Sequence, residues 1–365
     1  MIIKQTDIYR KRLSLKYPSA VAYETTEHAD HVFLRFQTEN GMEGWGCASP
    51  DKEVTGETPD SIERFLKKVL PELTGEDPLS ENCIMERISL TSRRKNPAAV
   101  AAVSIAYWDL LGKILGKPVY AILEGKKHGL TTSYTISLLP LPEALKQAKF
   151  ALDRGFQILK IKIGDGLEDD RERLKALRDL AGPDVPFRLD ANQAYKAEEC
   201  LDLLHRIKDR NIELIEQKKK KNDLEALNRL ASKSHIPVMV DEPVLDSIHL
   251  NSLIEKSPVK LVNIKFMKCG GIAEAMYMDS ICRKHGIKSM VGCMDESMLS
   301  ITAACHFALA ARSVKYIDLD GHFDIIDDPA SGGLMFRKGV LHVKQKSGFG
   351  VTIDADTLKH VAGYE

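Results

Sequence analysis

The sequence predicts an α/β protein built on a parallel barrel, with a mixed α+β section in front of it. Three observations carry that prediction. From about residue 130, short apolar runs alternate with amphipathic stretches. Eight such runs recur, roughly one every 25 residues, the period of a strand plus its crossover helix. A doubly wound open sheet would also alternate, but it would usually carry a glycine-rich phosphate turn after an early strand, and none is visible.

The elements follow in order. The opening "MIIKQTDIYRKRL" has no apolar core or small-residue cleavage site of the signal-peptide kind. "HVFLRFQTENGMEGWGCASP" reads as a hairpin turning at Glu39-Asn40-Gly41. "PAAVAAVSIAYWDLLGKILGKPVYAIL" reads as a long Ala-rich helix stopped at Gly116 and Pro118. The strand candidates are "SYTISL", "ILKIKIG", "PFRLDANQ", "IELIEQ", "PVMVDEP", "LVNIKFMK", "KSMVGCM" and "KYIDLD". The tail is irregular, with strand-like pieces such as "GVLHVK", and is expected to pack back on the first section. The expected division is 1–125, 126–324 and 325–365.

The bulk numbers exclude some function classes. Lys plus Arg equals Asp plus Glu, at 52 each, so nothing points to nucleic acid or an anionic membrane as partner. No apolar run of membrane-spanning length is expected. Seven cysteines, scattered without CxxC spacing, fit reduced thiols in a cytoplasmic protein.

The polar residues of the barrel section fall at the C-terminal ends of its strands. Lys160 and Lys162 lie on the second, Asp190 and Asn192 on the third, and Glu216 on the fourth. Asp241 and Glu242 end the fifth, Lys265 lies on the sixth, and Asp318 and Asp320 end the eighth. In a parallel barrel these ends converge on one mouth. Asp190, Glu216 and Asp241 form an oxygen-only set that would repel unless a cation joined it. Hard ligands of this kind indicate Mg²⁺, with Mn²⁺ the alternative. Lys162 and Lys265 would flank the ion, and crowding by Lys160 together with partial burial would help Lys162 shed its proton. Two bases beside a metal that stabilises an enolate suit removal of a proton from one face of a carbon and its return to the other. Each feature alone has a plainer reading. A Lys-x-Lys strand is usually a solvated edge, a strand-ending Asp often caps the next helix, and Asp241-Glu242-Pro243 could be only a turn. "DLD" alone could be a metal site, an ion pair or a loop.

Further stretches extend the pattern: "VTGETPDSIERFL", "YWDLLGK", "KIKIG", "LDANQAY", "NIKFMKCGGIAEA", "GCMDES" and "YIDLDG". Over nearly its whole length the chain resembles the enolase superfamily in its muconate-lactonizing subgroup, and within that the dipeptide epimerases. The resemblance implies a modified TIM barrel, (β/α)7β, under an α+β capping domain formed by the N-terminal section and the C-terminal tail. It implies that Asp190, Glu216 and Asp241 bind Mg²⁺, that Lys162 and Lys265 are the acid/base pair, and that Lys160 tunes Lys162. Asp318 and Asp320 resemble the Asp-x-Asp pair that holds a dipeptide's α-ammonium, clear of the metal. An early loop, around residues 16 to 30, would close on the substrate side chain. Relatives are often homo-oligomers. The absence of a histidine in "GCMDES" fits the two-lysine pattern rather than that of the mandelate-racemase subgroup.

Three departures from the resemblance bear on specificity. Ala-Glu epimerases carry an arginine where this chain has Glu24, so a carboxylate there would favour a cationic side chain, unless Glu24 is simply a surface residue. Asp51, Asp295, Glu296 and Thr135 complete the candidate substrate contacts. "IEQKKKK" replaces the usual "EQP", leaving Lys218 either to bind a substrate carboxylate or to be solvated. Pro243 replaces a common Ser after the metal ligand and has no functional account.

The expected activity is therefore Mg²⁺-dependent inversion of the α-carbon of a dipeptide's C-terminal residue. The alternatives are another reaction of the same scaffold, such as cycloisomerisation or β-elimination, and a non-catalytic metal- or peptide-binding barrel.

Overall fold

A computed structural model describes residues 1–21, 24–80, 87–88, 90–192, 194–207, 211–217 and 224–365; the side chains at 19–21, 24 and 90 also lie outside the description. The chain opens with two long strands, β1 (Ile3–Val21) and β2 (Glu24–Thr38), followed by β3 (Glu43–Ala48). The turn expected at Glu39-Asn40-Gly41 joins β2 to β3, with Gly41 at a positive φ of 82°. The early loop expected around residues 16 to 30 is instead the far end of the β1–β2 ribbon, pairing Ser19 with Thr26 and Val21 with Glu24. Its residues are too polar to read as strand from one chain segment, and each strand exists because the other satisfies its backbone.

The helix Pro59–Leu73 begins within "VTGETPDSIERFL" on a capping box. The Thr58 hydroxyl accepts from Ser61 N–H at 3.2 Å, and Ser61 Oγ accepts from Thr58 N–H at 2.9 Å. The Ala-rich helix Pro97–Ile114 stops at Gly116, whose φ is 63°. By length and hydropathy this helix could cross a membrane, contrary to the expectation that no such run exists, but 78% of it is buried inside the protein. It is a core helix, and its small residues let β3 approach closely. A Cβ at Gly46 would lie 1.9 Å from Ala102 O. Gly46→Ala is therefore expected to destabilise the protein by about 2–4 kcal/mol in urea unfolding, since backbone must move on one side.

Eight parallel strands follow: β5 (Tyr134–Ile136), β6 (Leu159–Lys162), β7 (Phe187–Asp190), β8 (Ile212–Gln217), β9 (Val238–Val240), β10 (Leu261–Ile264), β11 (Lys288–Gly292) and β12 (Val314–Asp318), after the short β4 (Leu130–Thr131). They pair strictly in chain order, β5 through β12. Helices follow the first seven; β12 runs instead into a short 3-10 turn at Gly321–Phe323. The ring is a near-barrel, since among the described residues no ladder joins β12 to β5; an isolated bridge pairs Thr132, just before β5, with Ile317. In the tail, β13 (Ala330–Gly332) pairs with β16 (Val351–Ile353), and β14 (Leu334–Arg337) pairs with β15 (Val340–Val343). The last strand, β17 (Lys359–Tyr364), adds to β1, so the tail completes the capping sheet.

Alternation along the strands sets what fills the barrel. Leu214, Met239, Leu261, Met290 and Tyr316 form one buried apolar cluster. Two residues further along their strands come Glu216, Asp241, Asn263, Gly292 and Asp318. A period of two therefore seats a polar layer directly on an apolar one, at the C-terminal mouth.

Candidate active site

A cavity of about 160 Å³ opens at this mouth; of the polar layer Asp318 lines it, whereas Glu216 and Asp241 are buried and not on its wall. Lys160, Lys162, Asp190, Lys265, Asp318 and Asp320 line it from the barrel, and Leu15, Tyr17 and Thr26 line it from the capping ribbon. Register explains the grouping: Lys162 pairs with Asp190 across β6 and β7, and Asp190 with Glu216 across β7 and β8. Lys265 directly follows β10, four strands from β6 in a ring of eight, so Lys162 and Lys265 stand on opposite walls.

Lys160 answers to three carboxylates at once. Its Nζ lies 3.1 Å from Asp190, 2.7 Å from Glu216 and 2.9 Å from Asp318. Burial alone would lower its pKa, but these charges outweigh it and hold the pKa well above the usual lysine value. Lys160 is thus a fixed ammonium. Asp241 holds Lys265, at 2.9 Å, and also the buried Lys268. Lys268 donates in addition to the carbonyls of Asp241 and Asn263, at 2.8 and 3.0 Å.

Among the described residues no three acidic, His or Cys side chains converge as a finished metal cage. The donor set nevertheless suits a hard cation. Asp190, Glu216 and Asp241 are all buried and offer oxygen only. Burial, with the charges of Asp190 and Asp241, pushes Glu216 up to about 7 despite Lys160. Asn263 fixes Glu216 by donating to its Oε1 at 2.8 Å.

The Asp318/Asp320 pair differs from expectation. It does not stand clear of the metal carboxylates, because Asp318 shares Lys160 with two of them. Asp320 accepts from Thr135 N–H at 2.6 Å, and burial beside Asp318 pushes it up to about 7. Thr135, Asp51 and Asp295 line the cavity as anticipated. Asp51 Oδ1 is engaged by its own turn, accepting from Glu53 and Val54 N–H. Glu296 is buried, accepts from Met294 N–H at 2.9 Å and is not on the cavity wall. The Glu24 side chain and Lys218 lie outside the described residues. Pro243 sits in a turn closed by Val244 N–H on Asp241 O at 3.1 Å, a bond that does not require its missing N–H.

Sequence reasoning missed Lys268, Asn263 and Asp324. Asp324 lines the cavity and accepts from Tyr134 OH at 2.7 Å, and burial pushes it up to about 6. A lysine in the apolar run "FMKC" was the one available signal, for Lys268.

Known proteins share this arrangement of domains. Residues 3–124 match the mandelate racemase / muconate lactonizing enzyme N-terminal domain, and residues 143–357 match the enolase C-terminal domain-like family. The chain is 35% identical to a hydrophobic dipeptide epimerase of Enterococcus faecalis, over 96% of this chain and 100% of the relative. It is 36% identical to an L-Lys-D/L-Arg epimerase of Desulforapulum autotrophicum, over 96% of this chain and 99% of the relative. The crystal structure of a dipeptide epimerase from Methylococcus capsulatus, complexed with Mg and the dipeptide L-Arg-D-Lys, superimposes with a TM-score of 0.91 at 34% identity, covering 96% of this chain and 100% of that one. The chain belongs to the mandelate racemase / muconate lactonizing enzyme family of the enolase superfamily and is a dipeptide-epimerase-like enzyme within it.

Proposed function

We propose that this enzyme inverts the α-carbon of the C-terminal residue of dipeptides, with Mg²⁺ as cofactor, and prefers a cationic side chain at that residue. The observation that carries the reading is the placement of Lys162 and Lys265 on opposite walls of one small cavity. Asp190, Glu216 and Asp241 would hold Mg²⁺, or Mn²⁺ in its place, which stabilises negative charge developing on the substrate carboxylate. One lysine, as the neutral amine, takes the α-proton; the other, as the ammonium, returns a proton to the opposite face. The reverse reaction exchanges their roles. Lys160, held as an ammonium, adds a fixed positive charge beside the developing enolate.

The cationic preference rests on charge. Asp51, Asp190, Asp295, Asp318, Asp320 and Asp324 face the cavity against Lys160, Lys162 and Lys265. The α-ammonium fits near Asp318 and Asp320. A second cation would face Asp295, Asp324 and the ribbon that carries Glu24. The relatives' names span hydrophobic and cationic dipeptides, so overall identity does not choose between them. Seven cysteines scattered without CxxC spacing support placing the enzyme in a reducing cytoplasm.

Incubation of a dipeptide library in D₂O with Mg²⁺ tests the reading. Dipeptides with Lys or Arg in second position are expected to gain one mass unit fastest. Retention of every α-hydrogen across the library would overturn it. Engagement of Asp318 by Lys160 favours one rival, another carboxylate reaction on the same scaffold in which the pair never meets an ammonium. Asp318→Asn with Asp320→Asn separates the two, since epimerisation should collapse whereas the rival reaction should survive.

A further inference from the structure

We infer that Ser133 and Arg188 are positioning residues that fix the carboxylate of Asp318 for the substrate's α-ammonium. The inference rests on the epimerase reading above. Neither residue lines the substrate cavity, and both are buried. Arg188 lies on β7, one inward position below Asp190, and the register sets it beside Lys160. Its Nε donates to Glu213 at 2.7 Å, and its Nη1 donates to Ile317 O at 2.7 Å and to Ser133 Oγ at 3.0 Å. Ser133 Oγ in turn lies 2.6 Å from Asp318 Oδ1.

The direction of these bonds is forced. A guanidinium has no acceptor, so Ser133 Oγ must accept from Arg188. Its one proton is then left for Asp318. Asp318 Oδ2 is held by Lys160 at 2.9 Å. Both oxygens are thereby tethered, and the plane of the carboxylate is set. Each oxygen keeps a further lone pair, which can meet an incoming ammonium. The tether also crosses the weakest place in the ring. Thr132, just before β5, and Ile317 form the only bridge across this seam among the described residues, and Arg188 and Ser133 bind the flanking backbone and Asp318 beside it. The backbone of Asp318 is paired with Gly292 of β11, so what they restrain is the rotation of its side chain.

The test measures steady-state kinetics with the dipeptide that the full-length enzyme turns over best, in Mg²⁺. Ser133→Ala is expected to raise KM about tenfold while kcat changes less than about threefold, because ground-state and transition-state binding of the ammonium are lost together. Arg188→Met should move KM in the same direction. The double variant should be no worse than the worse single one, since the two act in series. Ser133→Thr, which keeps the hydroxyl, should restore KM. An unchanged KM in Ser133→Ala, an equal fall of kcat with no change in KM, or additive effects in the double variant would each overturn the inference. A wild-type enzyme inactive on every dipeptide removes the epimerase reading and this inference with it. An active wild type with an indifferent Ser133→Ala removes the inference alone.

Discussion

Replacing Lys265 with alanine is expected to lower epimerisation by a factor of about 10³ or more, and Lys162→Ala by a similar factor, the range a positioned acid or base supplies. The two variants should differ in an informative way. Inversion needs both walls, but exchange of an α-hydrogen needs only one. Each single variant should still exchange the α-hydrogen of the isomer that faces its surviving lysine, without inverting it. The two variants should therefore exchange opposite isomers. Chiral chromatography follows inversion, and mass spectrometry in D₂O follows exchange. A Lys265→Ala enzyme that inverts at the wild-type rate would show that the opposed-amine reading is wrong.

The second large effect concerns stability. Lys160→Met removes an ammonium that lies within 3.1 Å of Asp190, Glu216 and Asp318, all of them buried. Methionine fills a similar volume, so packing changes little. What remains is three buried carboxylates with one shared partner gone, and such a loss costs about 3–5 kcal/mol. Urea unfolding at pH 8 in a chelator should show it. Adding Mg²⁺ should then raise the midpoint of the variant more than that of the wild type, since the carboxylates have lost their internal cation. A loss below about 1 kcal/mol would mean that Lys160 is not the electrostatic centre of the cluster.

What was legible in the sequence follows from what is local. The period of strand and helix is repeated eight times, so the barrel could be counted. Their position at the strand ends then gathered Lys160, Asp190, Glu216, Asp241 and Asp318 at one mouth before any contact was known. The "ENG" turn is set by adjacent residues; the Thr58 cap is just as local but was not read. The half of β2 that pairs with β3 was legible, but the far end of the ribbon was not, because "KYPSAV" and "ETTEHAD" become strand only by pairing with each other. Arg188 and Ser133 meet across 55 residues, and Asn263 reaches Glu216 across 47. Such partners follow only from the closed ring. Lys268 lies on the short helix that follows Lys265 and ends at Gly270 and Gly271, with φ of 87° and 102°. Nothing in "KCGG" states that this lysine is buried.

The capping ribbon reaches the cavity with Leu15, Tyr17 and Thr26, while Lys160, Lys162, Asp190 and Lys265 come from the barrel. Part of the cavity wall is thus inherited on a piece of chain separate from the lysines. A two-stranded ribbon end carries little of the core, so it can be rewritten with little cost to folding. New side chains there would redirect the same proton traffic to a different peptide.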